Sequence, residues 1–254
     1  MPQCICSHFY KKTNEKQIIA IDFIISLFNT LVFDRKKVRK KGVISKILKK
    51  IDIKSTAMAD IVYTDTKVQA KNFEKEFKID KKKFKVLYLE ANTKVYNKKV
   101  GKISMPKDEF IVLWFGTVLP LQGVDIIIKS AKELSYNKNI KFYIIGNTNK
   151  LNIKRNEFKN IKFLGWLQDD LIAKYIKSAD VCLAGHFALE NLRANREIPG
   201  KAFVYKSMGK KMILGESEAN REIFKEDNKT IFYVDRGNYK KLAKMIEKIY
   251  MTSL

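Results

Sequence analysis

The feature that most limits how this chain can fold is a regular alternation of apolar runs and helical patterns after residue 108. Residues 110–115 (FIVLWF) are apolar throughout, which predicts a buried strand, and apolar residues then recur at helical spacing from Val124 to Leu134. This change from an apolar run to helical spacing repeats to the end of the chain. Further strands are predicted at 140–145, 161–164, 181–184, 212–214 and 231–234, with helices starting near Asp169, Gly200 and Tyr239. This alternation predicts an α/β fold with a parallel sheet, which binds ligands at the carboxyl ends of its strands.

The first hundred residues carry a less complete version of the pattern. Strands are predicted at 18–21, 59–64 and 84–89, with an apolar helix up to about Phe33 and a second helix at 67–77, whereas residues 34–50 are basic with scattered aliphatic side chains. Three strands make a poor sheet for an independent domain.

We therefore interpret residues 1–100 as a partial amino-terminal α/β domain. A segment rich in Lys and Asn, 92–107, is the predicted linker. Residues 108–235 form the predicted ligand-binding domain, and residues 236–254 carry a closing helix.

Charge and composition limit the possible partners. The 254 residues are 46% apolar, which excludes a disordered chain, and their net charge is +24. A general bias toward Lys, Ile and Asn can produce this charge, and so can attraction to membrane headgroups or nucleic acid. The longest apolar stretch, 18–33, is interrupted by polar residues and is shorter than a membrane span of about 20 residues, so we expect only peripheral membrane contact.

Cysteine and histidine are scarce. The chain has three Cys (Cys4, Cys6 and Cys182) and two His (His8 and His186), without a disulfide framework or metal-ligand spacing. We therefore expect a reducing, cytoplasmic location and no metal site.

The first candidate binding loop is GTVLPLQG, from Gly116 through Thr117 and Gln122 to Gly123, between a predicted strand and a helix. Backbone N–H groups at a helix start attract phosphate, and glycine allows a ligand to approach the backbone closely. The loop matches neither the dinucleotide fingerprint nor the Walker A pattern, so a tight βα turn is the alternative interpretation.

The second candidate is NREIPGK, which contains Arg196 and Lys201. Lys201 falls in the first turn of a predicted helix, where a cation is unfavourable unless an anion is bound. A bound diphosphate removes that conflict, and Arg196 can add a bidentate contact. The alternative is a solvated lysine.

Two further candidates follow predicted strands. Glu218 lies in the loop ESEANRE, which can contact a sugar or simply cap the next helix, and His186 can bond a phosphate or a sugar hydroxyl or be a packed core histidine.

These stretches together resemble the family 4 glycosyltransferases, which have the GT-B fold. The resemblance covers nearly the whole chain and is firmest over residues 108–250. Its motifs are FGTVLPLQGVDIIIKSAK, IKFLGWLQDDLIAKYIKSADVCLAG and IPGKAFVYKSMGKKMILGES, which is similar to the subgroup pattern I-P-x-K-x-F-E-Y-x-x-x-G-K. In the front half, IIAIDFIISLFNTLVFDRKKV and ADIVYTDTKVQAKNFEKEF look like later parts of the amino-terminal domain.

The resemblance implies transfer of a sugar from a nucleotide diphosphate, with retention and without a metal or other cofactor. The donor would bind the carboxy-terminal domain, with the loop 116–123 and Lys201 facing the diphosphate and the loop 216–221 near the cleft. The acceptor would be a glycan or a lipid-linked precursor of a cell-surface polysaccharide, at the cytoplasmic face of the membrane.

Several residues depart from the family pattern. Thr117 and Gln122 stand where the family commonly has basic residues, and Val204 replaces the Glu that binds the donor ribose. Arg196 stands at the position of the earlier Glu of the paired-Glu motif. The glycine-rich acceptor loop and the catalytic His have no counterpart, so the chain resembles a member without the start of its amino-terminal domain, and no catalytic residue is assigned.

Two other functions compete with sugar transfer. A truncated or degenerate relative would bind a nucleotide or a partner glycosyltransferase without catalysis, in keeping with Val204. A nucleic-acid-binding protein is favoured by charge alone, because the sequence has no zinc finger and no RNP-type aromatic pattern.

Overall fold

A computed structural model describes residues 18–149, 151 and 153–254, so Cys4, Cys6 and His8 lie outside the described residues. The first described residues build a small sheet of three parallel strands. Its strands are β1 (Ala20–Asp22), β2 (Ile61–Thr64) and β3 (Phe84–Val86), in the order β1-β2-β3. Its helices are α1 (Leu27–Asn29), continued by a π-helical turn at Thr30–Asp34, α2 (Val43–Met58) and α3 (Lys67–Phe77).

A larger sheet of six parallel strands follows. Its strands are β4 (Phe110–Phe115), β5 (Ile140–Ile145), β6 (Ile161–Leu164), β7 (Val181–Gly185), β8 (Met212–Gly215) and β9 (Ile231–Val234). Their spatial order is β6-β5-β4-β7-β8-β9. The chain therefore runs outward from β4 to one edge and returns to β7 beside it. The crevice between β4 and β7 is a topological switch point, where open α/β sheets bind their ligands.

Helices cover both faces of the larger sheet. They are α4 (Val124–Glu133), α5 (Asp169–Ser178), α6 (Arg193–Arg196), α7 (Gly200–Ser207), α8 (Glu218–Ile223) and α9 (Tyr239–Met251). Helices α4 and α9 bury Ile127, Ala131 and Ile246 in one core layer, and Tyr205 of α7 belongs to the layer on the opposite face. Because both faces are covered, the central strands β4, β7 and β8 are apolar without alternation.

The predicted elements of the second half and the predicted α/β class are confirmed, and α3 has the predicted bounds. Two features differ from the sequence analysis. No element was predicted for residues 34–50, which include the start of a long helix, α2. The sequence also indicated that Asp169 can cap α5, and this was wrong, because the N-cap is Gln168, which makes no side-chain capping bond.

The segment expected to be a linker, 92–107, packs on the larger domain. The Tyr96 side chain is buried in its core, and the Tyr96 carbonyl accepts a hydrogen bond of 2.9 Å from the Ser207 hydroxyl. The Ile103 amide donates to the Ser178 hydroxyl at 2.9 Å.

The two domains meet through polar contacts that involve α3 and α8. The Glu222 carboxylate of α8 accepts hydrogen bonds from the Lys67 and Val68 amides at the start of α3, at 2.9 and 2.7 Å. It also accepts one from the Tyr88 hydroxyl at 2.7 Å. Two of the free N–H groups at the start of α3 are thus satisfied by the other domain, and the Gln69 amide is satisfied by the side chain of the N-cap Thr66.

Candidate functional site

The loops that follow β4 and β7 meet at the switch point. The Gln122 carbonyl accepts a hydrogen bond of 3.2 Å from the Phe187 amide, which ties the β4 loop to the β7 loop. Gly123 has a φ of +64°, and a Cβ at this position would lie 2.7 Å from the Ala188 nitrogen. The close approach of the two loops therefore requires glycine at residue 123.

Lys201 is buried at the start of α7. It is 8% exposed, and its Nζ donates to Gln122 Oε1 at 2.5 Å and lies 5.4 Å from the centre of the Trp114 ring. No carboxylate pairs with Lys201 among the residues that the structure describes. Burial lowers its pKa to about 7. A buried cation held by neutral groups alone is expected where an anionic ligand completes the site.

Gly116 gives a ligand access to this lysine. Its φ is +142°, and a Cβ at this position would lie 3.5 Å from Lys201 Cε. Because Gly116 has no side chain, its backbone and the lysine share one surface of the crevice.

His186 adds a second buried polar group at the end of β7. It is 4% exposed, and its Nδ1 has no hydrogen-bond partner within the described ranges. Its pKa is well below the usual value because it is buried, and the nearby charges of Lys201, Arg193 and Arg236 add to the effect. A neutral imidazole among three cations marks a region of positive potential that favours an anion.

A cavity of about 260 Å³ adjoins this region at the ends of β5 and β6. The backbones at Gly146 and Gly116 are in close contact, since a Cβ on Gly146 would lie 2.2 Å from the Gly116 oxygen. The cavity is lined by Gly146, Asn147, Thr148, Asn149, Arg155, Phe163, Leu164, Gly165 and Trp166. Trp166 is 60% exposed, and Arg155 donates to the Thr148 and Asn149 side chains at 2.9 and 2.8 Å. The cavity thus offers a flat aromatic surface with polar groups beside it.

Five of the eight residues proposed from the sequence come together in this crevice. They are Gly116, Gln122, Gly123, His186 and Lys201. The other three are Thr117, which is exposed on the same loop, Arg196 and Glu218. Arg196 lies 3.6 Å from the Glu76 carboxylate of the small domain, and the exposed Glu218 side chain contacts Asn195 at 3.5 Å. Arg196 and Glu218 are therefore engaged away from Lys201.

Three residues of this region, Arg155, Trp166 and Arg236, were not predicted from the sequence. Trp166 and Arg236 each come two residues after the end of a strand. The half-buried Arg236 side chain makes no salt bridge in the described part of the chain, and burial lowers its pKa. The rule that ligands bind at strand carboxyl ends, applied to β6 and β9 as well, would have included Trp166 and Arg236.

Solved structures with the same fold include several glycosyltransferases. HepE of Anabaena, in a crystal structure with UDP-glucose, superposes with a TM-score of 0.67 at 14% identity over 93% of this chain and 64% of HepE. Sucrose-phosphate synthase of Thermosynechococcus elongatus gives a TM-score of 0.64 at 14% identity, over 91% of this chain and 58% of that one. The pneumococcal O-GlcNAc transferase GtfA, in complex with UDP and GlcNAc, gives 0.62 at 11% identity, over 93% and 46%.

These similarities confirm the predicted GT-B fold class. The chain spans less than two thirds of each of these three structures. A search of curated protein sequences gave no match. The family model described as "Glycosyl transferases group 1" matches residues 95–252, which include every residue of the crevice and of the adjoining cavity. By this match over more than half of its length, the chain belongs to the group 1 glycosyl transferases.

Proposed function

We propose that this chain binds a nucleotide-diphosphate sugar in the crevice between β4 and β7 and transfers the sugar to an acceptor. The observation that carries the proposal is Lys201, a buried cation without a carboxylate partner in the described residues, next to a glycine loop. A diphosphate is the part of such a donor that this arrangement fits.

Charge explains how the diphosphate would be held. Lys201 stands in the first turn of α7, where the helix dipole disfavours a cation and favours an anion. A diphosphate beside Lys201 neutralises its charge and removes the conflict with the helix. Arg236 supplies a second cation that forms no ion pair in the described chain. In the transfer reaction, these cations would stabilise the charge that develops on the leaving nucleotide diphosphate.

The adjoining cavity is the proposed site of the base. Gly146 belongs to the cavity and contacts Gly116, so a ligand can extend from Lys201 into it. There the exposed Trp166 ring offers a stacking surface, while Asn147, Thr148 and Asn149 supply polar edges. In this proposal the diphosphate lies at Lys201 and the base lies in the cavity.

The acceptor and the setting are further parts of the proposal, and they draw on the resemblance to family 4 glycosyltransferases. We propose that the acceptor is a glycan or a lipid-linked precursor of a cell-surface polysaccharide, and that the sugar is transferred with retention. The reaction would take place at the cytoplasmic face of the membrane, with the positive surface in contact with anionic lipid. Among the described residues, no helix combines the length and apolarity needed to cross a membrane.

Thermal denaturation with nucleotides tests donor binding directly. A ligand that binds only the folded state raises the melting temperature, and about 2.7 kcal/mol of stabilisation is expected at a hundred times Kd. We expect a rise with either UDP or GDP and their sugars, unchanged by EDTA, because the proposed contacts to the diphosphate are cationic side chains. A cooperatively melting protein that responds to none of these ligands would contradict the proposal.

Val204 gives a second test, one turn of α7 beyond Lys201. Valine cannot accept a hydrogen bond from a ribose hydroxyl, whereas the glutamate that the family carries there can. A hydrogen bond to a charged group contributes about 1.5–3 kcal/mol, so Val204→Glu should strengthen nucleotide binding roughly tenfold in calorimetric titration. Val204→Gln is the matched control and should give a smaller gain. Unchanged or weaker binding by Val204→Glu would place the ribose elsewhere.

Val204 also favours a second candidate function, that of a relative that binds the nucleotide without catalysis. The two functions differ in turnover, because hydrolysis or transfer of a bound nucleotide sugar releases the free nucleotide. A protein that binds the nucleotide tightly and releases none from its sugar, with lipid-linked and glycan acceptors present, would favour the non-catalytic function.

A further inference from the structure

Helix α2 is oriented with its polar side toward the protein. Its buried residues are Ser45, Leu48, Asp52 and Thr56. The Asp52 carboxylate accepts hydrogen bonds from the Ser26 hydroxyl at 2.7 Å and from the Leu27 and Phe28 amides at 3.3 and 2.9 Å. These bonds join α2 to the start of α1 and fix which side of α2 faces inward.

The opposite side of α2 exposes most of its large apolar residues. Ile44, Ile47, Ile51 and Met58 are 61%, 51%, 45% and 57% exposed. Their spacing of three, four and seven residues places them in one row along the helix. We call this row, with the neighbouring Val43, the α2 stripe. An amphipathic helix of a globular domain normally buries such a row, so the α2 stripe has the opposite orientation.

The surroundings of the α2 stripe are strongly basic. Residues 35–58 contain ten Lys and Arg residues and one acidic residue, the buried Asp52. Lys50 and Lys54 project along one side of the stripe and Lys46 lies further round the helix, all of them exposed. The exposed surface of α2 therefore combines an apolar row with positive charge and carries no exposed carboxylate.

We propose that the α2 stripe docks on the surface of an anionic lipid bilayer, with α2 lying in the plane of the membrane. A basic helix with an apolar face binds such a surface because the aliphatic side chains enter the headgroup boundary while the lysines remain at the phosphates. A protein partner fits less well, because lysine is depleted at protein interfaces. Nucleic acid fits less well too, because the stripe offers no aromatic ring for stacking.

This inference rests on the membrane contact within the proposed function and locates that contact on α2. It does not depend on the crevice, because vesicle binding is measured without any nucleotide. Failure of the α2 stripe and failure of the donor site are therefore separate results.

Flotation with lipid vesicles tests the proposal. The protein should float with vesicles of phosphatidylglycerol and phosphatidylcholine, and much less with phosphatidylcholine alone or in 0.5 M salt. A variant with Ile44→Ser, Ile47→Ser and Ile51→Ser should bind the anionic vesicles at least tenfold more weakly. Because these side chains are exposed, its melting temperature should not fall.

A charge-matched pair of variants separates the helix from the overall charge. Lys46→Gln, Lys50→Gln and Lys54→Gln together should weaken vesicle binding at least tenfold, since each lysine contributes about fivefold. Three exposed lysines of α9 give the control, changed together as Lys240→Gln, Lys244→Gln and Lys248→Gln, with the same loss of charge. Equal losses in the two lysine variants would overturn the proposal, since binding would then follow net charge alone.

The isoleucine variant distinguishes a membrane from other partners. If it binds vesicles as the unchanged protein does, the proposal fails. It also fails if sedimentation shows a self-associated protein that the isoleucine changes convert to a monomer, because the α2 stripe would then be a protein interface. Binding to duplex DNA that is tighter than binding to anionic vesicles, and is lost in the α2 lysine variant alone, would assign the surface to nucleic acid instead.

Discussion

Replacing Lys201 with methionine is expected to stabilise the free protein and to abolish its response to nucleotides. Methionine has a similar length and is apolar, so it can occupy the buried space next to Trp114 without a charge. The free protein then no longer buries a cation that lacks a carboxylate partner in the described chain. The nucleotide loses the proposed diphosphate contact, and its affinity should fall about a hundredfold or more.

The stability change of Lys201→Met has a predictable dependence on pH. The pKa of Lys201 is about 7 in the folded protein and 10.5 in the unfolded chain. Between these two pH values the unfolded chain binds more protons than the folded protein does. The contribution of Lys201 to stability therefore rises as the pH rises from about 7 to 10.5. At pH 7 and below, burial of the cation costs about 2–5 kcal/mol by this linkage. Near pH 6, Lys201→Met should be more stable than the unchanged protein by that amount. Above pH 7, its stability should not show the rise that Lys201 causes.

Nucleotide binding should show the complementary pH dependence. A bound diphosphate favours the charged form of Lys201, so binding above pH 7 should take up about one proton and weaken as the pH rises. Calorimetric titration in buffers of different ionisation enthalpy measures this uptake. Lys206→Met, on the exposed side of the same helix, is the control and should change neither stability nor binding appreciably. A Lys201→Met protein that melts lower than the unchanged protein, or keeps its nucleotide response, would contradict the proposal.

Arg193→Met should destabilise the protein by about 3–5 kcal/mol, because it leaves two buried carboxylates without their cation. The Arg193 guanidinium lies 2.8 Å from the Asp34 carboxylate and 2.6 Å from the Glu197 carboxylate. The exposed fractions of these three side chains are 14%, 2% and 9%. Since Asp34 belongs to the small domain, the loss also weakens the contact between the two domains.

The destabilisation by Arg193→Met should grow with pH. Burial raises the pKa of Glu197, and burial followed by the charge of Glu197 raises the pKa of Asp65 to about 7. Groups with raised pKa contribute stability at low pH and lose it as the pH rises through their folded pKa. Without Arg193, which lowers the pKa of both groups, the loss should increase between about pH 4 and pH 8.

Urea denaturation at several pH values measures this effect. Arg221→Met is the matched control, because Arg221 also pairs with two carboxylates, those of Glu216 and Glu226, but is 41% exposed. Exposed pairs contribute about 0–1 kcal/mol, so its loss should be small at every pH. Equal losses for the two arginine variants would contradict the prediction, because burial of the Arg193 pairs would then make no difference to stability.

The sequence was most informative where periodicity and sheet topology determine the structure. The strands of the larger sheet are buried on both faces, so their apolar runs were recognisable, and their carboxyl ends located Gly116, His186 and Lys201. The burial of Lys201 was not predictable, because it depends on packing against Trp114 and Gln122 from another strand and loop.

Helix α2 was missed for a different physical reason. Most of its large apolar residues face outward, and three of its four buried residues, Ser45, Asp52 and Thr56, are polar. A pattern that assumes an inward apolar face therefore fails to predict which side of this helix packs. Arg196 shows the same limit, since its contact with Glu76 of the small domain depends on how the two domains meet.

The hydrogen bonds to the Glu222 carboxylate favour the arrangement in which the two domains are in contact. The carboxylate is held by the small domain at the first two amides of α3 and by the Tyr88 hydroxyl, so separation of the domains would return these donors to water. Loss of a helix cap typically costs about 0.5–2 kcal/mol, which corresponds to a population ratio of roughly 2 to 30. The joined arrangement would then predominate before any ligand arrives, and a nucleotide would meet a crevice whose domain already lies against the small domain.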